Sequence, residues 1–182
     1  MRNVFLVFSA VAMIVQLSYG QLSSGPAVGS DVPALQVHAV TGPVTYTQVD
    51  YASQRGDQPT IYLFVPRDKW DRPIARFIKQ LDQQAGEVHK DVLLVGVWLT
   101  DNPESTREYL PLAQQSLKLD RTALTYFHGD DYSPADWAIN DRAHLTVVIA
   151  NRKKVASTMS YVSVNETDVP KVLRALQEAV GQ

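Results

Sequence analysis

The stretch Ile61-Tyr62-Leu63-Phe64-Val65-Pro66-Arg67-Asp68-Lys69-Trp70-Asp71-Arg72-Pro73-Ile74-Ala75-Arg76-Phe77-Ile78 decides the fold. Its first half is an unbroken run of β-branched and aromatic residues, the pattern of a central strand buried on both faces. Its second half places Ile74, Phe77, Ile78 and Leu81 at helical spacing, with Arg76, Lys79, Gln80 and Asp82 expected on the solvent side. Between them lies a short charged loop. A strand delivered into a loop and then a helix N-terminus is half of a βαβ unit, so the rest of the chain is expected to supply the partner strands.

It does so in order. Leu35, Val37 and Ala39 alternate as a half-buried edge strand, and Val44 to Val49 continues extended after the Thr41-Gly42-Pro43 turn. Arg55 to Pro59 reads as a second turn. Gly86 is expected to close the helix begun at Asp71. Asp91 to Leu99 is a second fully buried strand, and Asn102-Pro103-Glu104 starts a helix that Pro111 should end or kink. Leu124 to Phe127 is a short strand, and Ser133-Pro134 again carries the signal of a helix start. His144 to Ala150 and Lys154 to Val162 form a hairpin, and Thr167 to Val180 a closing helix. The fold class is α/β: a central mixed β-sheet flanked by helices, in three layers.

The 182 residues, 45% hydrophobic and 20% charged, fit one globular domain. A domain of about 150 residues buries about 70% of the surface of its unfolded chain and needs no disulfide or metal to hold a core. The formal net charge of −2 argues against nucleic acid as a partner. Arg2, the apolar run Val4 to Val15, and Ser18-Tyr19-Gly20 before Gln21 have the form of a secretory signal peptide over 1–20. The run is too short for a comfortable membrane span, which takes about 20 apolar residues. The expectation is an exported protein, periplasmic or extracellular, with no stable membrane span after cleavage, a mobile leader over 21–30 and a folded domain over 31–182.

Several stretches, taken in order, resemble the redoxin branch of the thioredoxin-like superfamily, the peroxiredoxins and thiol–disulfide oxidoreductases. They are Gly29-x-x-x-Pro33-x-Leu35-x-Val37, Tyr62 to Pro66, Leu94 to Val97 followed by Asp101 to Glu104, and Trp137 to Ile139 followed by Leu145 to Ile149 and Lys153 to Val155. The resemblance implies a thioredoxin-like fold whose working cysteines would sit in the charged loop. Here the chain departs from the family, for it contains no cysteine. In a thioredoxin-type alignment the two cysteines fall on Lys69 and Arg72, and the proline facing them on His144. In a peroxiredoxin-type alignment Pro66 is retained, but the threonine falls on Trp70 and the peroxidatic cysteine on Pro73.

Nothing else replaces the thiolate. A lysine such as Lys69, at an ordinary pKa of about 10.4, is neutral in about one molecule in 2,500 at pH 7, and an amine forms no reversible sulfur–sulfur bond. Peroxidase and disulfide-exchange chemistry are therefore closed to this chain.

What remains is a binding reading. Lys69, Trp70, Asp71 and Arg72 sit where a helix N-terminus offers free N–H groups, with His144 expected opposite. Asp71 is equally suited to cap those donors, leaving Trp70 to pack and the cations in water. The expected partner is an unknown exported protein or a small anionic ligand, with no cofactor. The alternative is an enzyme of another class acting on a small anionic substrate, through His144 and the charged loop or through a metal. Asp130, Asp131 and Asp136, near His128, are weak metal candidates, because their spacing is not that of a calcium loop. Asn165-Glu166-Thr167 is an N-glycosylation sequon that also suits a helix cap.

Overall fold

The computed structural model describes residues 22–181, so the signal-peptide expectation over 1–20 lies outside the described residues. The elements are β1 (Gln36–Ala39), β2 (Thr47–Asp50), α1 (Tyr51–Arg55), β3 (Thr60–Pro66), a 3-10 turn (Arg67–Lys69), α2 (Arg72–Val88), β4 (Leu93–Leu99), α3 (Pro103–Leu117), β5 (Thr122–Phe127), β6 (Leu145–Asn151), β7 (Lys154–Tyr161), a second 3-10 turn (Glu166–Asp168) and α4 (Val169–Val180). One seven-stranded sheet has the order β2-β1-β5-β4-β3-β6-β7. Its centre, β3, β4 and β5, is parallel, while β6 returns antiparallel on the other side of β3 and β7 pairs antiparallel with β6.

Strand periodicity sorts the central residues between two cores. Ile61, Leu63 and Val65 of β3, Leu94 and Trp98 of β4, and Leu145, Val147 and Ile149 of β6 face the apolar sides of α2, α3 and α4. Tyr62, Phe64, Val95, Val97 and Val148 face the other way, against Leu35, Tyr51, Trp137 and Ile139. Both faces are thus covered, as the mixed three-layer expectation requires. One cover is three helices; the other is the five-residue α1 and the ordered 128–143 loop. Burial of these large side chains is the dominant stabilising term, at about 1.5–3 kcal/mol each.

Several sequence expectations are corrected. The first strand is not an edge, because β2 lies outside it and β5 inside. The short helix α1, capped by Asp50, was not anticipated. Burial opposes the charge on Asp50, but the Ser53 hydroxyl and the N–H groups of Leu35, Ser53 and Ala52 outweigh it and hold the carboxyl below its ordinary value. Helix α2 runs through Gly86 to Val88, and the Arg121 guanidinium lies over Gly86 in the space a Cβ would take. Asp82 does not face solvent but is 2% exposed. Helix α3 continues through Pro111 to Leu117, held on the sheet by Leu110 and Ala113 on either side of it. Ser133-Pro134 starts no helix, because Asp136 (φ 63°) and Ala138 (φ 48°) turn the backbone into the left-handed region just beyond it.

The leader, read from its Ser/Gly/Pro composition as mobile, makes specific contacts from Leu22 onward. Ser24 Oγ lies 2.6 Å from Thr146 Oγ1 in a buried contact, and Gly25 N–H donates to Ala138 O at 3.0 Å. Gly29 N–H donates to Val155 O (2.8 Å), Val155 N–H to Ser30 O (2.9 Å) and Val32 N–H to Lys153 O (3.0 Å). The segment therefore lies along the outer edge of β7, with Asp31 and Lys154 paired at 2.8 Å.

Gly42 supplies a test of the β1–β2 connection. Its φ is +103°, and a Cβ there would stand 2.7 Å from Ala123 Cβ and 2.9 Å from Ala123 Cα. Gly42→Ala is expected to lower stability by about 1–3 kcal/mol, from backbone strain together with a clash against β5. Gly29→Ala, at φ +87° but with nothing within 4 Å of the added carbon, isolates the backbone component. Thermal melts of the two variants should show the larger loss at Gly42; equal losses would remove the steric argument.

Candidate functional site

The loop after β3 is pinned on both sides. Pro66 ends the strand in register with Leu99 of β4, and Leu99 in turn with Phe127 of β5, so three strand ends finish level. The chain makes one 3-10 turn and reaches Asp71, whose Oδ1 accepts from Ile74 N–H at 2.9 Å and so satisfies one free donor of the α2 N-terminus. Trp70 is half-buried. Its ring packs on Trp98 with centroids 4.7 Å apart at 57°, and its Nε1–H donates to the Tyr109 hydroxyl on α3 at 2.7 Å. Trp98 can lie flat because its neighbour two residues back is Gly96, where a Cβ would come within 3.1 Å of the ring. Arg67 also ties the loop to α3, donating from Nη2 to Ser105 Oγ at 2.8 Å. Lys69 pairs with Asp68 at 2.8 Å, and Arg72 is exposed.

Two hollows flank this loop. On the helix side a groove of about 520 Å³ runs between α2 and α3, lined by Trp70, Asp71, Arg72, Tyr109, Leu112 and Leu117 among others. Leu112 is 63% exposed and Tyr109 42%, and they stand three residues apart on the same wall. On the strand side a cleft of about 590 Å³ has Pro66, Leu99 and Phe127 as its base and the loops that follow β3, β4 and β5 as its walls. His128 spans two of those loops, its Nδ1 3.1 Å from Thr100 O. Tyr132 stands in the third wall, its phenol pushed up to about 12 by partial burial and then by the negative charges of Asp68 and Asp141.

The structure brings Trp70, Asp71 and Arg72 together on the groove, while Lys69 is turned to Asp68. His144 lies at the same end of the sheet: the β3–β6 pairing, carried two residues past Phe64 and Thr146, sets it opposite Pro66. It is half-buried, its N–H donates to Tyr161 O at 2.7 Å, and no side-chain hydrogen bond, ion pair or ring contact joins it to the loop. The enzyme reading built on His144 gains nothing from this arrangement. Asp130 and Asp131 line the cleft but Asp136 does not, and among the described residues no three His, Cys, Asp or Glu side chains are placed to hold a metal ion. Asn165 acts as a cap, its Oδ1 accepting from Thr167 N–H at 2.8 Å and from the Thr167 hydroxyl at 2.6 Å. Sequence reasoning missed the α3 side of the groove. Tyr109 and Leu112, three apart on an otherwise polar surface, were the available signal.

No family model matches the chain, and no curated protein matches its sequence. Solved structures do match its shape. A Chlorobium tepidum protein assigned as a thiol:disulfide interchange protein of the DsbE type superposes with a TM-score of 0.65 at 16% identity, over 86% of this chain and 99% of that one. The peroxidoxin BcpB of Mycobacterium tuberculosis gives 0.62 at 13% identity, over 84% and 97%. A yeast mitochondrial 1-Cys peroxiredoxin gives 0.60 at 18%, over 85% and 78%. At such identities the likeness establishes the fold and leaves the activity to the residues.

Proposed function

We propose, from the premise of a thioredoxin-like fold without a single thiol, that this chain is an exported, non-catalytic binding module whose contact surface is the face of the β3–α2 loop. The observation that carries the reading is Trp70. A tryptophan stands in the loop and is fixed by Trp98 below and Tyr109 beside it, with part of its ring on the wall of an open, largely apolar groove. A rigidly held aromatic beside exposed Tyr109 and Leu112 is the composition of an interface anchor, since such side chains bury area at little entropic cost. Export is supported by Arg2 and the apolar Val4 to Val15 run. The exclusion of thiol chemistry rests on composition alone.

The test is a crosslinking pull-down from the exported fraction, with wild type beside two variants. One is the triple change Lys69→Ala, Trp70→Ala and Arg72→Ala. The other is Leu112→Arg, a change at an exposed position that leaves the core intact. A lost aromatic anchor costs about 2 kcal/mol or more, so partner recovery should fall by about 30-fold in the triple variant, and it should also fall in Leu112→Arg, which sets a charge on the apolar wall of the groove. Equal recovery by all three proteins would remove the groove as the contact surface.

A further inference from the structure

The strand-side cleft lies on the other side of the loop from the groove, and its chemistry differs. Its base, Pro66, Leu99 and Phe127, is apolar and is built by the register of three parallel strands rather than by flexible loops. That end of a parallel sheet, beside the strand from which the chain crosses to the other half of the sheet, is where open α/β folds characteristically bind ligands. At about 590 Å³ the cleft lies within the range of small-molecule sites, about 300–1,000 Å³.

The charges around it are lopsided. Asp68, Asp101, Asp130 and Asp131 all line the cleft, against Arg67 and His128 as the basic residues in its lining. Arg67 is engaged with Ser105, and Asp68 is offset by Lys69. Asp101, Asp130 and Asp131 enter no salt bridge among the described residues. An anion is therefore disfavoured here. A hard metal ion would need several oxygen ligands converging at about 2.3–2.6 Å, and among the described residues no such group forms. The aromatic faces of Phe127 and Tyr132 add what a metal does not use, a surface that attracts cations and accepts an apolar body.

We infer that this cleft binds an organic cation: an ammonium or guanidinium group carried on an apolar or aromatic body, the body against Pro66, Leu99 and Phe127 and the charge toward Asp101, Asp130 and Asp131. The same chemistry is offered by a free amine and by a basic side chain next to an aromatic one in a peptide. The site goes beyond the groove proposed above and does not depend on it.

The experiment follows backbone amide shifts of the isotope-labelled full-length protein. The probes are phenethylammonium, its near-isostere 3-phenylpropanoate, the blocked dipeptide N-acetyl-Phe-Lys-amide, and Ca²⁺. Phenethylammonium should shift the amides of 99–101 and 127–132 saturably, and 3-phenylpropanoate should leave them in place. In Asp130→Asn/Asp131→Asn, both positions being exposed, the ammonium Kd should rise by about 3- to 20-fold. A dipeptide tighter than phenethylammonium identifies a peptide as the better source of the cation; the reverse order identifies a free amine. The inference is overturned if the two isosteres shift the same amides equally, if only Ca²⁺ does, if the double variant binds like wild type, or if no probe moves these residues.

Discussion

Replacing Asp82 with alanine is expected to lower stability by about 3–5 kcal/mol, a loss on the scale of truncating a core side chain. The carboxylate is 2% exposed and faces the start of β5. Its Oδ2 accepts from Asp120 N–H at 3.0 Å, and its Oδ1 from Arg121 N–H at 2.9 Å and from the Thr122 hydroxyl at 2.6 Å. Alanine leaves the buried Thr122 hydroxyl without its acceptor, at about 1–3 kcal/mol, and strips the part-buried N–H groups of Asp120 and Arg121 of the carboxylate that fixes the start of β5. The damage would extend beyond Asp82. Arg121 lies over Gly86 and donates to Lys90 O at 2.8 Å, so loosening the β5 start also loosens the cover of the α2 C-terminus. At about 2–4 °C per kcal/mol for a domain of this size, the melting temperature should fall by about 6–20 °C. Asp82→Asn, which keeps an acceptor oxygen, should lose about half as much. Chemical denaturation of the three proteins decides it, and an alanine variant within 1 kcal/mol of wild type would contradict the clamp.

The second large effect belongs to the other face of the sheet. Trp137 is fully buried, its ring 5.0 Å from Tyr62 and 4.8 Å from Phe64, and its Nε1–H donates to Ala34 O at 2.9 Å. It is the largest side chain that the 128–143 loop contributes to the second core, where no long helix shares the task. Trp137→Ala should cost about 3–5 kcal/mol from lost burial and the cavity left behind. Trp137→Phe keeps most of the contact area and loses the hydrogen bond, so it should cost about 1–2 kcal/mol. Hydrogen exchange supplies a second readout: the alanine variant should lose protection over 128–143 before β3 and β4 lose theirs. Simultaneous loss across the whole domain would show that the loop and the sheet open as one unit.

These two residues also show where the sequence was legible and where it was not. The runs Ile61 to Val65 and Leu93 to Leu99 are apolar without alternation, which only a doubly covered strand tolerates, so the centre of the sheet could be read directly. Asp82 could not. Its place in the helical repeat, four residues after Ile78 and three before Ala85, borders the apolar stripe, but its charge argues for solvent, and what satisfies it is a trio of donors 38 to 40 residues further on. The loop holding Trp137 was misread for a related reason: Ser-Pro is a local helix-start signal, overruled here by a long-range anchor at Ala34 and two left-handed residues. At the site, the cap by Asp71 was legible, since it rests on the strand–loop–helix pattern, whereas the partners of Trp70, Trp98 and Tyr109, lie 28 and 39 residues away and were not. The groove was not, because half of it comes from α3. The cleft was not either, because its base is the alignment of three strand ends, a property of register that no single segment carries.

The strip from Leu22 to Val32 belongs to no named helix or strand, yet it lies along one of the sheet's two borders, β7, the other being β2. An outermost strand such as β7 carries a row of unsatisfied backbone groups, the template on which chains add to one another end on end. Here the start of the row is occupied from within, Gly29, Ser30 and Val32 taking the backbone positions beside Lys153 and Val155, and further along the strip is held by side chains, the Thr158 hydroxyl donating to Pro26 O and that of Ser160 to Leu22 O. About a dozen residues that contribute little to the core therefore guard the start of this border. Trimmed of them, the same fold would keep its shape and acquire a sticky border.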